Sequence, residues 1–490
     1  MINLWLSSLL SLLVAALIVP FFKTNHKTAM MWFSLFILTF ALIAQVLITR
    51  YVILNGSFFY AFGGHQGGLG ISFLVDEFSV LIATFIISLT WLIFIYGWAN
   101  IKADFEKAET ARYVNLIFIM IFSMVSMVYT HDLFNTYVFM EIMSITTVAI
   151  ISVKQKKENY SAAFRYLMLN EVGSLSFLFG IGMLYMIGGH LNMSAVALVI
   201  QQGWPLYSWN IGLALGLMIL GLGIKSAIYP MHVWLPDAHG SAPSTSSAIL
   251  SSIVVKVYLV VLIKVIYRIF GFSIVSSLGL HVLLTVLAVL GMIIGSLFAM
   301  AQKDSKRLLG YSSVSQIGYI VLGISLGTEL GLYAAIFHII SHGILKTSLF
   351  LSVGSFISEK KIRKTHEFRG LGVKMPLATA VFTISSLGMI GIPMTSGFIA
   401  KWQLGLALSE ISWWLIGVVL LSSLLNAVYY LPIIIDFYLK PNPEHQTQLT
   451  WDGMPKRMAF VLLFLALSGL TIGLFPGLIQ TFIDLAVSVI

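Results

Sequence analysis

Glu141, Lys225, Lys256, Lys346 and Lys401 stand inside long apolar runs, where a charged side chain costs ~2.5–3.5 kcal/mol to insert at the centre of a bilayer. Glu141 lies nine residues past Asp132, which at ~1.5 Å per helical residue puts it ~13 Å into a membrane, close to the midplane. The same arithmetic sets the four lysines at comparable depth. Groups of this kind can load and pass protons, because an ammonium taken out of water is charged or neutral according to what faces it. Any one of them could be a structural ion pair or a lysine reaching for the interface. One glutamate cannot neutralise four cations, however, and a mid-span lysine does not easily reach either interface, so the five together read as a row of proton-loading sites.

His338, His342 and Lys346 are spaced i, i+4, i+8 and share one helix face. Histidine titrates near neutral pH and passes protons in either direction. Two metal ligands without an acidic third, or ordinary buried polar packing, are the alternatives to a relay. Glu171 could be structural or part of the path. The segment 231–247 (MHVWLPDAHGSAPSTSS) carries His232, Asp237 and His239 but neither lysine nor arginine. It is read either as a hydrated, titratable inlet or as a plain capped turn.

The elements that hold these groups are apolar runs separated by polar punctuation, about 14 in number. Their approximate limits are 2–22, 29–49, 71–99, 112–130, 132–153, 161–188, 207–229, 241–267, 278–301, 307–327, 330–357, 375–408, 411–437 and 458–486. Each is long enough for a ~30 Å hydrocarbon core. Span 7 is interrupted at Lys225-Ser-Ala-Ile-Tyr-Pro230 and span 12 at Gly388-Met-Ile-Gly-Ile-Pro393, where a proline removes a donor and frees a carbonyl. Paired breaks in two halves of a transporter point to a transport path, and a packing kink is the simpler alternative for either one. The first run, Met1 to Pro20, lacks a cationic start and a cleavage site and reads as a retained helix.

Of the 28 lysines and arginines, 21 fall in loops after odd-numbered spans, Lys23, Lys102, Lys107, Lys306 and Lys440 among them. Cytoplasmic loops are enriched in these residues, so both termini are expected outside the cytoplasm. The chain has 59% hydrophobic and 10% charged residues, which leaves no soluble domain of any size. The net charge of +9 lies in short loops, where topology explains it better than nucleic acid does. The absence of cysteine excludes thiolate-held iron–sulfur clusters and disulfides. No cofactor or resident metal is expected.

The string HVWLPDAHGSAPSTSSAILSSIVVK, from His232 to Lys256, resembles the signature of the proton-translocating antiporter-like subunits shared by Mrp-type cation/proton antiporters, complex I and membrane-bound hydrogenases. Glu141 in HDLFNTYVFMEIMS, His338 to Lys346 in FHIISHGILKTSLF and Lys401 in GIPMTSGFIAKW agree with it. Lysine at 401 is similar to the D-type component of Mrp systems and to the smallest complex I member. The loop Gly240-Ser-Ala-Pro-Ser-Thr-Ser departs from the common Ala-Pro-x-Pro pattern.

The resemblance implies an all-α membrane protein with two inverted five-helix repeats and broken helices 7 and 12. The chain would divide into 1–111 (helices 1–3), 112–270 (first repeat), 271–440 (second repeat) and 441–490 (helix 14). It further implies that Glu141 pairs with Lys225 at an inlet, that Lys256 and the span 11 histidines relay laterally, and that Lys401 lies on the outlet side. The function implied is a cation/proton (Na⁺/H⁺) antiporter subunit in a cell inner membrane, working with other membrane subunits. The alternatives are the pump module of a complex I-like or hydrogenase-like enzyme, and a scaffold without conduction, against which the buried row argues.

Overall fold

The computed structural model describes residues 1–22, 26–62, 70–104, 107–439 and 453–490. Lys23 and Lys440, counted above among the loop cations, lie outside the described residues, as do the side chains of Lys102 and Lys107. The chain opens with α1 (Ile2–Ile18) and α2 (Lys27–Asn55), then a hairpin of β1 (Phe58–Ala61) and β2 (Ser72–Val75) with Phe58 opposite Val75. Helices α3 (Glu77–Asp104), α4 (Lys107–Tyr129), α5 (Leu133–Ser152), α6 (Lys157–Gly188) and α7 (Met193–Lys225) follow, then the short α8 (Trp234–Ser241). The next span, Ser244–Phe270, is one continuous rod made of α9 (Ser244–Ile249), a π-helical turn (Leu250–Val254), α10 (Val255–Ile263) and a second π-helical segment (Lys264–Phe270).

After α11 (Phe272–Ser277) come α12 (Leu280–Met300), α13 (Ser305–Ser325), α14 (Glu329–Lys360), the single turn α15 (Leu371–Lys374), and the halves of a broken span, α16 (Pro376–Ile390) and α17 (Ser396–Ser409). The described chain ends with α18 (Trp413–Tyr438), α19 (Lys456–Leu474) and α20 (Gly477–Ser488).

Among the described residues, 13 helices are long and apolar enough to cross a membrane, and the broken pair α16–α17 makes a further span. The two breaks, after α7 and between α16 and α17, each interrupt the fourth span of a set of five. Five is odd, so the second set crosses the bilayer in the opposite sense to the first. Ser244–Phe270 and α14 are buried throughout their apolar lengths, whereas α1, α2, α18 and α19 bury one face only. The innermost rods are therefore the ones that carry Lys256, His338, His342 and Lys346. Close backbone approach packs α7 on α6: a Cβ on Gly221 would meet the Gly173 carbonyl, as small residues allow at helix crossings in lipid.

The helix ends show why the chain breaks where it does. Asp132 caps α5 by accepting from Asn135 N at 2.7 Å, and Asp304 caps α13 through Arg307 N at 3.0 Å. Gly391 closes α16 at φ +93°, a left-handed conformation that costs glycine little.

Several limits read from the sequence are corrected. Span 7 begins at Met193, not near 207. Gln201, Gln202, Gly203 and Pro205 look like punctuation, but the helix continues through them and takes up the strain in a kink at Tyr207 (φ −115°, ψ 25°). The last span is divided at Phe475-Pro476 into α19 and α20, because proline cannot continue the ladder. The residues ahead of Glu77 in span 3 form a strand rather than a helix, and the segment 231–247 is not a simple loop but holds α8 and the start of the next span.

Candidate functional site

Glu141 projects from the middle of α5, and Lys225 is the last residue of α7. Lys225 Nζ lies 3.3 Å from Glu141 Oε1, with the lysine side chain fully buried and the glutamate 18% exposed. Ser144, one turn along α5, takes a second hydrogen bond from Lys225 Nζ at 2.5 Å. Ser174 of α6 donates to Glu141 from the other side, and Glu171 lies one turn earlier on the same helix. The Tyr258 ring stands 5.8 Å from Lys225 Nζ and its hydroxyl 3.3 Å from Ser144 Oγ. Placement at the C-terminal end of a helix also favours a cation.

Lys256, Lys264, Lys346 and Lys401 use a different device: each donates to main-chain carbonyls. Lys256 bonds to Ser251 O in the first π-helical turn, a distortion of the kind that often marks functional sites. Lys346 donates to Leu309 O (2.8 Å) and Ser312 Oγ (2.5 Å) of α13. Lys401 donates to Met389 O and Ile390 O, both at 2.9 Å, and to Ser423 Oγ at 3.0 Å. The Gly391 N–H meets Leu387 O and Gly388 O, so all four carbonyls left open by the end of α16 have a donor. A carbonyl accepts from an amine as well as from an ammonium, so these lysines keep their positions in either protonation state.

The histidines lie between these cations. His338 bonds to Gln316 at 2.9 Å and stacks on Tyr319, with centroids 5.5 Å apart and planes 8° from parallel. The same tyrosine ring lies 4.7 Å from Lys401 Nζ. His342 is 6.1 Å from His338 by ring centroids, and α14, which carries both histidines and Lys346, packs on the π-helical turn just ahead of Lys256. The structure thus joins six of the seven sequence-identified groups into two sets. Glu141 and Lys225 form one; Lys256, His338, His342 and Lys346 form the other, and Lys401 adjoins it through Tyr319. Tyr258, two residues past Lys256 on α10, stands between the two sets.

Lys306 and Lys264 escaped the sequence reading as functional candidates, whereas His239 was named there without its burial. Lys306, read there as a loop cation, is buried and donates to Ala242 O at 2.9 Å. Lys264 is buried at the far end of the span that carries Lys256. His239 is fully buried beside Phe350, its ring nitrogens having no hydrogen-bond partner among the described residues. Burial inside the spans was the only available signal, and spacing alone does not reveal it. In the 231–247 segment Asp237 is gripped by Arg165 (2.7 Å) and Arg307 (2.9 Å), so cations absent from the segment arrive from α6 and α13. His232 stacks on Tyr229 at 5.4 Å. Cavities of 390 Å³ and 240 Å³ adjoin this face, the first beside Arg165 and Asp237, the second beside Lys306 and Asn159.

Residues 130–426 match the family described as NADH:quinone oxidoreductase/Mrp antiporter, transmembrane. The chain is 40% identical over 317 residues to NADH-quinone oxidoreductase subunit N of Desulforudis audaxviator strain MP104C, covering 64% of this chain and 62% of that one. It is 28% identical to the D-type component of the Na(+)/H(+) antiporter of Bacillus subtilis strain 168, over 94% of this chain and 92% of the relative. Among solved structures it is similar to a chain of the membrane-bound sulfane sulfur reductase, an archaeal respiratory membrane complex, with a TM-score of 0.90, 27% identity, and 99% and 97% of the two chains covered. The matched residues hold Glu141, Lys225, Lys256, His338, His342, Lys346 and Lys401 together, and on this match the protein is a multi-pass membrane member of the NADH:quinone oxidoreductase/Mrp antiporter transmembrane family.

Proposed function

We propose that this chain is the proton-translocating subunit of a multisubunit cation/proton antiporter, coupling proton movement to Na⁺ movement through its buried Glu, Lys and His side chains. The observation that carries the reading is the Glu141–Lys225 ion pair beside lysines held by main-chain carbonyls and serine hydroxyls, without a carboxylate. Protonated Lys225 is favoured while Glu141 faces it, and opening the pair leaves a buried cation that sheds its proton toward Lys256 and the histidines. One charge moved through 100 mV is worth ~2.3 kcal/mol, enough to bias such a transfer. Lys401 serves the discharge end. The chain divides functionally into 1–111, a first repeat 112–270, a second repeat 271–440 and 441–490. It resides in the cell inner membrane with both termini outside the cytoplasm, and it works beside other membrane subunits.

The second reading is the proton-pumping module of a redox enzyme, favoured by the 40% identity to a component of an NADH-quinone oxidoreductase and by the respiratory-complex neighbour. Purification of the native complex tests the two together. Na⁺-driven proton movement by a complex of membrane subunits alone supports antiport. Copurifying iron–sulfur subunits, with proton movement only during electron transfer, would replace the antiporter by the pump.

A further inference from the structure

The span Ser244–Phe270 uses its π-helical device twice. The first π turn ends two residues before Lys256, and the second opens on Lys264 itself. Lys264 lies eight residues past Lys256, about 12 Å further along the rod. It points to the face opposite Asp237, where it donates to Val128 O and to Thr130 O, the latter at 3.2 Å, beyond the end of α4. Arg268, one turn on, pairs with Asp76 at 2.5 Å and reaches Val489 O at 3.1 Å. His131 lies beside them, its Nε2 2.7 Å from Ser194 Oγ and its ring against Phe59 of the hairpin. Asp132 instead caps α5, and the Tyr129 hydroxyl donates to Gln45.

Two features of this cluster point to proton exchange. Asp76 supplies one negative charge against Lys264 and Arg268, and a guanidinium does not give up its proton. Lys264 is therefore the cation able to become neutral. Secondly, Arg268 Nε and Nη1 and His131 Nδ1 are buried without hydrogen-bond partners among the described residues, and buried donors of this kind are met by ordered water. We propose that Lys264, with Asp76, Arg268 and His131, forms a hydrated proton-exchange station through which the first set of five spans communicates with the face opposite Asp237. The station rests on the proton-translocating reading above and adds to it a second route, separate from Lys401.

The test uses the whole complex in proteoliposomes, with Lys264→Met and Lys264→Arg beside Lys256→Ala. Arginine keeps the charge and the carbonyl bonds but cannot discharge. Both Lys264 variants should therefore assemble and lose proton exchange to below about a tenth of wild type, the loss expected where a proton carrier is removed. Full activity in Lys264→Arg would make the residue a structural cation and overturn the station. Full exchange in Lys256→Ala would instead remove the reading on which it rests. A second measurement does not depend on activity: because the chain has no cysteine, Lys264→Cys can be probed with a membrane-impermeant trimethylammonium methanethiosulfonate. Labelling from the side on which exposed Ser57→Cys reacts supports the station, and protection from that side overturns it.

Discussion

Lys225 Nζ and Glu141 Oε1 stand 3.3 Å apart, and the lysine holds Ser144 of the glutamate's own helix as well. The pair ties the broken end of α7 to the middle of α5, while Ser174 adds α6. Shortening the carboxylate by one methylene should weaken the contact without removing it. Glu141→Asp is expected to leave partial transport with a displaced pH profile, read as exchange rate against pH in the assembled complex. An unchanged profile would separate the pair from the proton path.

Lys401 closes the open end of α16 and lies on the Tyr319 ring that also carries His338. Lys401→Ala should abolish coupled exchange while the complex still copurifies. Lys401→Glu is expected to retain some activity, since a titratable group remains. Wild-type exchange in the alanine variant would exclude Lys401 from the discharge end.

Gly397 allows α17 to rest on the end of α16, for a Cβ there would run into the Gly388 carbonyl. Overpacking of this kind costs ~1–3 kcal/mol, so Gly397→Ala should lower the thermal midpoint of the purified complex and disturb Lys401 with it. A wild-type midpoint would show that the two half-helices separate freely.

Asp237 binds two arginines whose side chains are 63% and 44% exposed. Exposed pairs are worth ~0–1 kcal/mol. Asp237→Asn should therefore change stability little, and any larger effect on exchange, measured in the same preparation, would locate a proton at Asp237 rather than a latch.

The central residues were legible in the sequence because charge inside an apolar run is costly and stands out without a structure. The break at Pro393 was legible for a similar reason: proline beside glycine leaves few alternatives. The kink at Tyr207 was not, since a helix supported by neighbours absorbs Pro205, and local propensity does not report neighbours. Nor was the Asp237 latch, whose arginines come from helices remote in sequence. Lys264 could be read as lying in a span, but its carbonyl partners belong to the end of α4, and no spacing rule within one helix connects them.

The most direct test of the central claim is proton-coupled exchange by the assembled complex carrying Glu141→Ala, Lys225→Ala or both. If the pair is one coupled element, each single substitution blocks transport and the double is no worse than either. Wild-type exchange rates in the assembled Glu141→Ala complex would contradict the account.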